Sequence, residues 1–478
     1  MKSHATCTVL LWSALCFALV LSGCRVGPAY KKPAVALAPE FRGASPHDAS
    51  ASAAPANAGK SLGDEPWWAL FDDKQLQELL RKGIAQNYDL RIAAERVVQA
   101  QAQLGVTRAD QLPMLSANAS FNSQQLAKGE MVSNPQAVSM NFGKMGLGAA
   151  WNLDFWGKYR MATEAARSQL VATEWARRAV QTTVVSNIAS SYFQLRTLDQ
   201  QMDIARKTLA TRQETLQLTK VLEAGGSGSM LDVREAEQLV FAVQAQIADL
   251  QRQTEQLEDS ICTLLGETPH PVVRGLSLDQ QPRLLEVPPG LPSDLLVRRP
   301  DIQQAEAVLV AANAQIGVAR AAYFPQIALT ASTATDSNAL TRLFSGPSHV
   351  WNFGPTLSVP IFDASRVRNN VRITESEQRQ DLLAYQQTIA SAFRDVSKAL
   401  VAWRKYREYR ESQEKIETAA GDALRLARLR YEQGQSSYLD VLTNDRNYLN
   451  AQMEVAAAKQ NELLSIVALY NALGGGWK

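Results

Sequence analysis

Few side chains in this 478-residue sequence are spaced for chemistry. The four histidines, His4, His47, His270 and His349, stand far apart, with no Cys or carboxylate cluster at metal-ligand or triad spacing. GGSGS at 225–229 has the glycines of a phosphate loop but not the GK-S/T that completes one, so it reads as a turn between helices. No catalytic constellation emerges, the chain is not expected to be an enzyme, and neither a cofactor nor a metal is implied. Of the cysteines, Cys7 and Cys16 lie in an apolar N-terminal stretch, and Cys262 is expected to be a small apolar residue on a helix. Cys24, in LSGC, is the one thiol whose setting points to a modification.

Lys2, an apolar run from Thr8 to Val20 and the small residues before Cys24 have the layout of a secretory signal, residues 1–23. LSGC resembles a bacterial lipobox, in which the Cys is diacylated and becomes the new N-terminus. Acylation by two or more chains anchors a protein stably where one chain would not. Arg25 follows the Cys in place of the Asp that commonly retains lipoproteins in the inner membrane, which favours the outer membrane. With Cys7 and Cys16 removed and Cys24 acylated, Cys262 has no partner for an intrachain disulfide. Lys plus Arg is 49 against 47 for Asp plus Glu, so no electrostatic case exists for a nucleic-acid partner. Beyond the first thirty residues no apolar run approaches the roughly 18–20 residues of a spanning helix.

The elements that must position anything else come in two copies. Residues 104–115, LGVTRADQLPML, match 316–327, IGVARAAYFPQI, so that Gly105, Arg108 and Pro113 align with Gly317, Arg320 and Pro325. Asp89 to Ser120 aligns with Asp301 to Ser332 at a shift of 212, and LDV at 231–233 with LDV at 439–441 at a shift of 208. Each copy predicts one plan: a helical stretch (72–110, 294–322), two short strands, a very long helix (157–224, 364–433), a Gly-containing turn and a shorter helix to about 266 or 473. Gly83 interrupts the first stretch. The strands are expected at about 112–122, 142–154, 325–335 and 350–362, with Pro113 and Pro325 at two starts and loops near 122–139 and 336–349 facing the exterior. Seven-residue seams run through Leu76, Leu90, Val97 and Leu104, through Ile188, Leu195, Met202, Leu209 and Leu216, and through Leu382, Ile389, Val396 and Trp403.

A helix of roughly 68 residues is about 100 Å long, and two shorter ones of roughly 39 and 37 residues stack to the same height. The expected chain is therefore a tall rod of antiparallel helices with four strands at one end and two turns at the other. The strands alternate apolar with small or polar residues and carry aromatics near their ends (Phe121, Trp151, Trp351, Phe353), as transmembrane barrel strands do. Four strands cannot close in lipid, so closure requires further copies; half-buried hairpins on helices would show the same alternation. The domain plan is a signal peptide at 1–23, an anchored extended linker at 24–64 and a first repeat at 65–270. An inter-repeat linker at 271–293 and a second repeat at 294–478 complete it.

Several runs carry a family resemblance: CRVGPAY (24–30), PWWALFDD (66–73), LDFWGKYR (153–160), LLVRRPDI (295–302), PIFDASRVR (360–368) and LYNALGGGW (469–477). Over nearly all of its mature length the sequence resembles the TolC/OprM-like outer-membrane factors of tripartite efflux, the NodT-type lipoproteins. It departs at Ala364–Ser365, where the family usually has Gly-Gly. The resemblance implies a mainly α fold with a transmembrane β part. In it a homotrimer forms a 12-stranded β-barrel in the outer membrane, continuing into a long periplasmic α-helical barrel. It further implies a passive conduit for small molecules, working with a periplasmic adaptor and an inner-membrane transporter. The competing readings are a type I secretion duct and a pore-less periplasmic coiled-coil lipoprotein. The resemblance places a periplasmic gate in RYEQGQSSYLDVLT (430–443), with Leu439 at an apolar ring position, Asp440 at an acidic one and Thr443 where relatives commonly have Asp. Ser436 stands where some relatives have a tethering Arg. From the residues alone, Asp440 is equally a first-turn carboxylate stabilised by its helix dipole, because Asp232 occupies the same place in the other copy.

Overall fold

A computed structural model describes residues 25–34, 41, 62–64, 66–126, 138–281, 292–338, 342–344 and 346–477. The signal segment, Cys24 and most of the linker lie outside these residues. In chain order the elements are α1 (Lys74–Gln86), α2 (Tyr88–Ala109), β1 (Met114–Leu126), β2 (Val138–Leu153), α3 (Lys158–Ala224) and α4 (Met230–Leu265). The second set is α5 (Pro292–Arg298), α6 (Pro300–Ala321), β3 (Gln326–Ser337), β4 (His349–Ser358), α7 (Arg366–Glu432) and α8 (Tyr438–Ala472). Duplication is written in the lengths. Helices α2 and α6 each have 22 residues, α3 and α7 each have 67, and α4 and α8 have 36 and 35.

Local chemistry sets the ends. Asp154 accepts from the N–H groups of Tyr159 and Arg160 to start α3, and Asp363 accepts from Ser365 and Val367 to start α7. Gly226 and Gly434, both left-handed, stop the long helices, and Gly266 stops α4 the same way. The first helical stretch divides in two at Asn87, which caps α2 through the Leu90 N–H and donates to the Leu264 carbonyl. Gly83 stays inside α1, where a Cβ would stand 2.2 Å from Ile188. Its service is close packing, not a break. The second stretch divides before Pro300, which disfavours a helical residue ahead of it. At the entry to α7, Ala364 and Ser365 take φ of 50° and 68°. That is the backbone the Gly-Gly of the resembling family would adopt without strain.

The chain divides into two compact units. The first comprises the described residues within 1–34, 97–173 and 305–385. Its strands form one antiparallel sheet in the order β1-β2-β3-β4. The strands have 13, 16, 12 and 10 residues. Pairing carries β1 through the polar run Asn122–Gln125, where alternation had suggested a loop, because β2 supplies a partner as far as Val138. Register sorts the side chains. Leu115, Leu147, Trp151, Leu329, Phe353 and Trp351 share one face, while Ser116, Asn118, Gly148, Ser332 and Asn352 share the other. The apolar face is uncovered, with Leu115 80 % and Trp351 75 % exposed. Also in this unit, Gly27 lies against Gly317, where a Cβ would meet the opposing Cα at 2.9 Å. Asn313 donates to the Pro28 carbonyl, and Lys32 pairs with Glu306 at 2.7 Å. Residues directly after Cys24 are thus tied to α6.

The second unit comprises the described residues within 35–96, 174–304 and 386–478. Four expected seam residues, Leu76, Ile188, Leu195 and Val396, lie in its core beside Leu80 of α1, Tyr192 of α3, Ile261 and Leu265 of α4 and Ile466 of α8, all buried. Cys262 is buried among them. Full burial of each large aliphatic side chain stabilises by about 1.5–3 kcal/mol. Asp73, at the end of PWWALFDD, is 1 % exposed. One carboxylate oxygen caps α1, and the other accepts from Tyr192 (2.7 Å), the Leu276 N–H (2.9 Å) and Gln281 (3.0 Å). No described helix is long and apolar enough to cross a membrane.

Candidate functional site

At one end of the second unit, α3 turns into α4 and α7 turns into α8. Both turns are built alike: Gly226 and Gly434 reverse the chain, and Ser229 and Ser437 stand at the N-caps that follow. Ala236, Leu424, Ala427, Tyr438 and Val441 bury a small core between the four helices. Tyr431 and Tyr438 meet at a tilt of 46° with ring centroids 5.4 Å apart. Burial pushes the Tyr438 phenol above its ordinary pKa; a hydrogen bond with Thr219 opposes this, and Tyr431 and Asp445 add to it.

Leu439, Asp440 and Thr443 occupy the first turns of α8 on the side away from this core, all three exposed, Leu439 by 60 %. The structure therefore gathers them on one free helix face. Asp232 and Asp440 differ in what they hold. Asp232 completes a capping box, accepting from the Ser229 N–H at 3.2 Å. The Asp440 carboxylate instead accepts from the Ser437 hydroxyl, also at 3.2 Å. The Ser436 hydroxyl makes no hydrogen bond among the described residues.

A charged cluster lies one to two turns behind. Arg212 of α3, 6 % exposed, donates from Nε to Asp445 of α8 at 2.8 Å and from Nη1 to the Leu239 carbonyl at 3.1 Å. Arg428 of α7 approaches the other Asp445 oxygen at 3.5 Å. This cluster ties α8 at Asp445 to three neighbouring helices of its own chain.

One family model, described as outer membrane efflux protein, matches the chain twice, over residues 79–267 and 291–475. The chain belongs to the outer membrane efflux protein family. The double match coincides with the duplication. Among relatives, the cation efflux system protein CusC of Escherichia coli is 34 % identical over 462 residues, 96 % of this chain and 98 % of that protein. The toluene efflux pump outer membrane protein TtgC of Pseudomonas putida is 34 % identical over 471 residues, 98 % and 96 % of the two chains. The crystal structure of the open state of the MtrE outer membrane channel of Neisseria gonorrhoeae superposes with a TM-score of 0.83 at 32 % identity, covering 95 % of this chain and 99 % of that one.

For this outer membrane efflux protein, motif reading did not find Arg212, Arg428 and Asp445. The repeat held the signal. At the 208-residue offset Lys220 and Glu237 correspond to Arg428 and Asp445, and the first pair also meets, at 3.4 Å. A cation and a carboxylate in matching places of both copies mark a cross-helix stitch, and the second copy's pair is joined as well by Arg212 from the first copy's long helix.

Proposed function

We infer that the protein is the outer-membrane channel subunit of a tripartite efflux pump. It is a homotrimeric passive conduit that exports small molecules delivered by an inner-membrane transporter and a periplasmic adaptor. One observation carries this: in an outer membrane efflux protein, the sheet leaves one apolar face bare and two edges, β1 and β4, each paired on one side only. Unpaired backbone groups are not tolerated in lipid, so β4 of one copy must pair with β1 of the next. Three copies supply twelve strands, wide enough for an aqueous lumen, and six hairpin pairs for the helical barrel. The conduit performs no catalysis. Relatives named for cations and for toluene are equally similar to this chain, so cargo belongs to the pump and not to the tube. The test is the mass and shape of the detergent-purified mature protein. A trimeric tube is expected; a monomeric or dimeric rod without a lumen would sink the reading.

Two sites belong to it. Cys24 is the acylated anchor at the end of a 1–23 signal, followed by the 24–64 linker and the repeats 65–270 and 294–478. Palmitate labelling should be lost in Cys24→Ser. Leu439, Asp440 and Thr443 form the periplasmic gate, weakly tethered because Ser436 and Thr443 replace charged family residues. Three Asp440 carboxylates near the threefold axis repel one another and attract cations. Asp440→Ala is expected to change single-channel conductance, and a tightly closed pore indifferent to that change would count against the gate.

A further inference from the structure

Within the four strands only two residues are formally charged at neutral pH, Lys144 on β2 and Asp336 on β3. They stand directly opposite one another in the β2–β3 register, and Ser120 of β1 completes the same cross-strand row. Both charged side chains are exposed. The row lies on the polar face, in line with Asn118, Gly148 and Ser332, and not on the face of Leu115, Leu147 and Phe353. The register fixes this face, since near the membrane interface a lone charge facing lipid costs only about 0–1 kcal/mol. The row also has a definite depth. Lys144 is nine residues, about 30 Å of strand, from the β2 end that leads into α3, and Asp336 is one residue from the end of β3. It therefore sits near the β-hairpin end, away from the helices.

We propose that Lys144 and Asp336 form a charge-balanced ring at the outer mouth of the lumen and set the ionic selectivity of the exit. The proposal rests on the trimeric conduit reading, which places three lysines and three aspartates around one opening. With equal numbers of both signs, the row itself carries no net charge and favours cargo of neither sign. Loss of one member leaves three like charges facing the same water. At the spacing of neighbouring strands, a unit charge in water changes the local concentration of a monovalent ion by roughly three-fold.

The experiment uses the full lipidated protein in liposomes with Ser120→Cys as a reporter in the row; the described native thiol, Cys262, is buried. Anionic and cationic methanethiosulfonate reagents are added from the side that reaches the hairpin loops, and the ratio of their rates is read. Adding Asp336→Asn should raise the anionic-to-cationic ratio about three-fold or more, and Lys144→Gln should lower it by a similar factor. Both shifts should shrink in 1 M salt, where screening cuts off within about 3 Å. A ratio unmoved by either change overturns the proposal. So does faster labelling of Ala119→Cys, one residue along on the other face, than of Ser120→Cys. If the preparation is not trimeric, the conduit reading itself has failed, and the mass measurement distinguishes that failure from a defect in the ring.

Discussion

Asp73 shows what one buried carboxylate can do when every lone pair is used. Its partners lie between 2 and 208 residues away in sequence, so PWWALFDD marks the spot without revealing why. That distance is the physical reason the role was illegible: a hydrogen-bond network has no periodicity to read. Tyr192 is the test. Its hydroxyl donates to Asp73 at 2.7 Å and accepts the Gly275 N–H at 3.0 Å. Tyr192→Phe leaves both groups short of a partner in a buried site, and a cost of about 2–3 kcal/mol is expected in denaturation. Burial first, then Asp73, raises the Tyr192 pKa above its usual value near 10. A raised folded-state value gives stability that is complete below pH 10 and is lost as pH rises through that folded value. The gap between wild type and Tyr192→Phe should hold constant to about pH 9 and narrow above 10. A gap that widens with pH would show that the phenol is not held neutral by the fold.

Elements were more legible than single residues, because they repeat. Ile188, Leu195 and Met202 kept a seven-residue beat, and all three are buried. The strands were found from alternation, yet their lengths were not, since Asn122–Gln125 form strand only because β2 lies opposite. The strand-to-helix joints give the sharpest element-scale prediction. Both copies start their long helix on an Asp cap. The first uses Gly157 at φ 76°, while the second uses Ala364 and Ser365 at 50° and 68°. A left-handed backbone costs a non-glycine residue roughly 1–2 kcal/mol, partly offset by the greater unfolded-state freedom of glycine. Ala364→Gly and Ser365→Gly are each expected to stabilise the fold by about 1 kcal/mol, read as a higher denaturation midpoint. Destabilisation by either would mean that the Asp363 cap, and not φ, governs this joint.

For the whole molecule, the duplication was readable from a dozen residues, and the need for further copies from four strands that cannot close. The number three came only through the family resemblance, because one chain shows what it leaves unfinished and not how many copies finish it. Each chain ends its sheet at two unpaired edges and leaves Leu115, Leu147, Trp351 and Phe353 uncovered. Lipid can cover the apolar face but cannot hydrogen-bond the edges. Folding of the sheet and association of the chains must then be one event, since a folded monomer in a bilayer would carry two rows of unsatisfied N–H and C=O groups. The measurable consequence is mass action. When N exists only as a trimer, its apparent stability rises with protein concentration. Diluting the protein tenfold in excess detergent should lower the midpoint of thermal unfolding, with dissociation and loss of β-signal coinciding. A midpoint independent of concentration, or a folded monomer persisting after dissociation, would show that the edges are satisfied within one chain. The lumen, the gate proposed at Asp440 and the ring proposed at Lys144 and Asp336 would then all lose their geometric basis together.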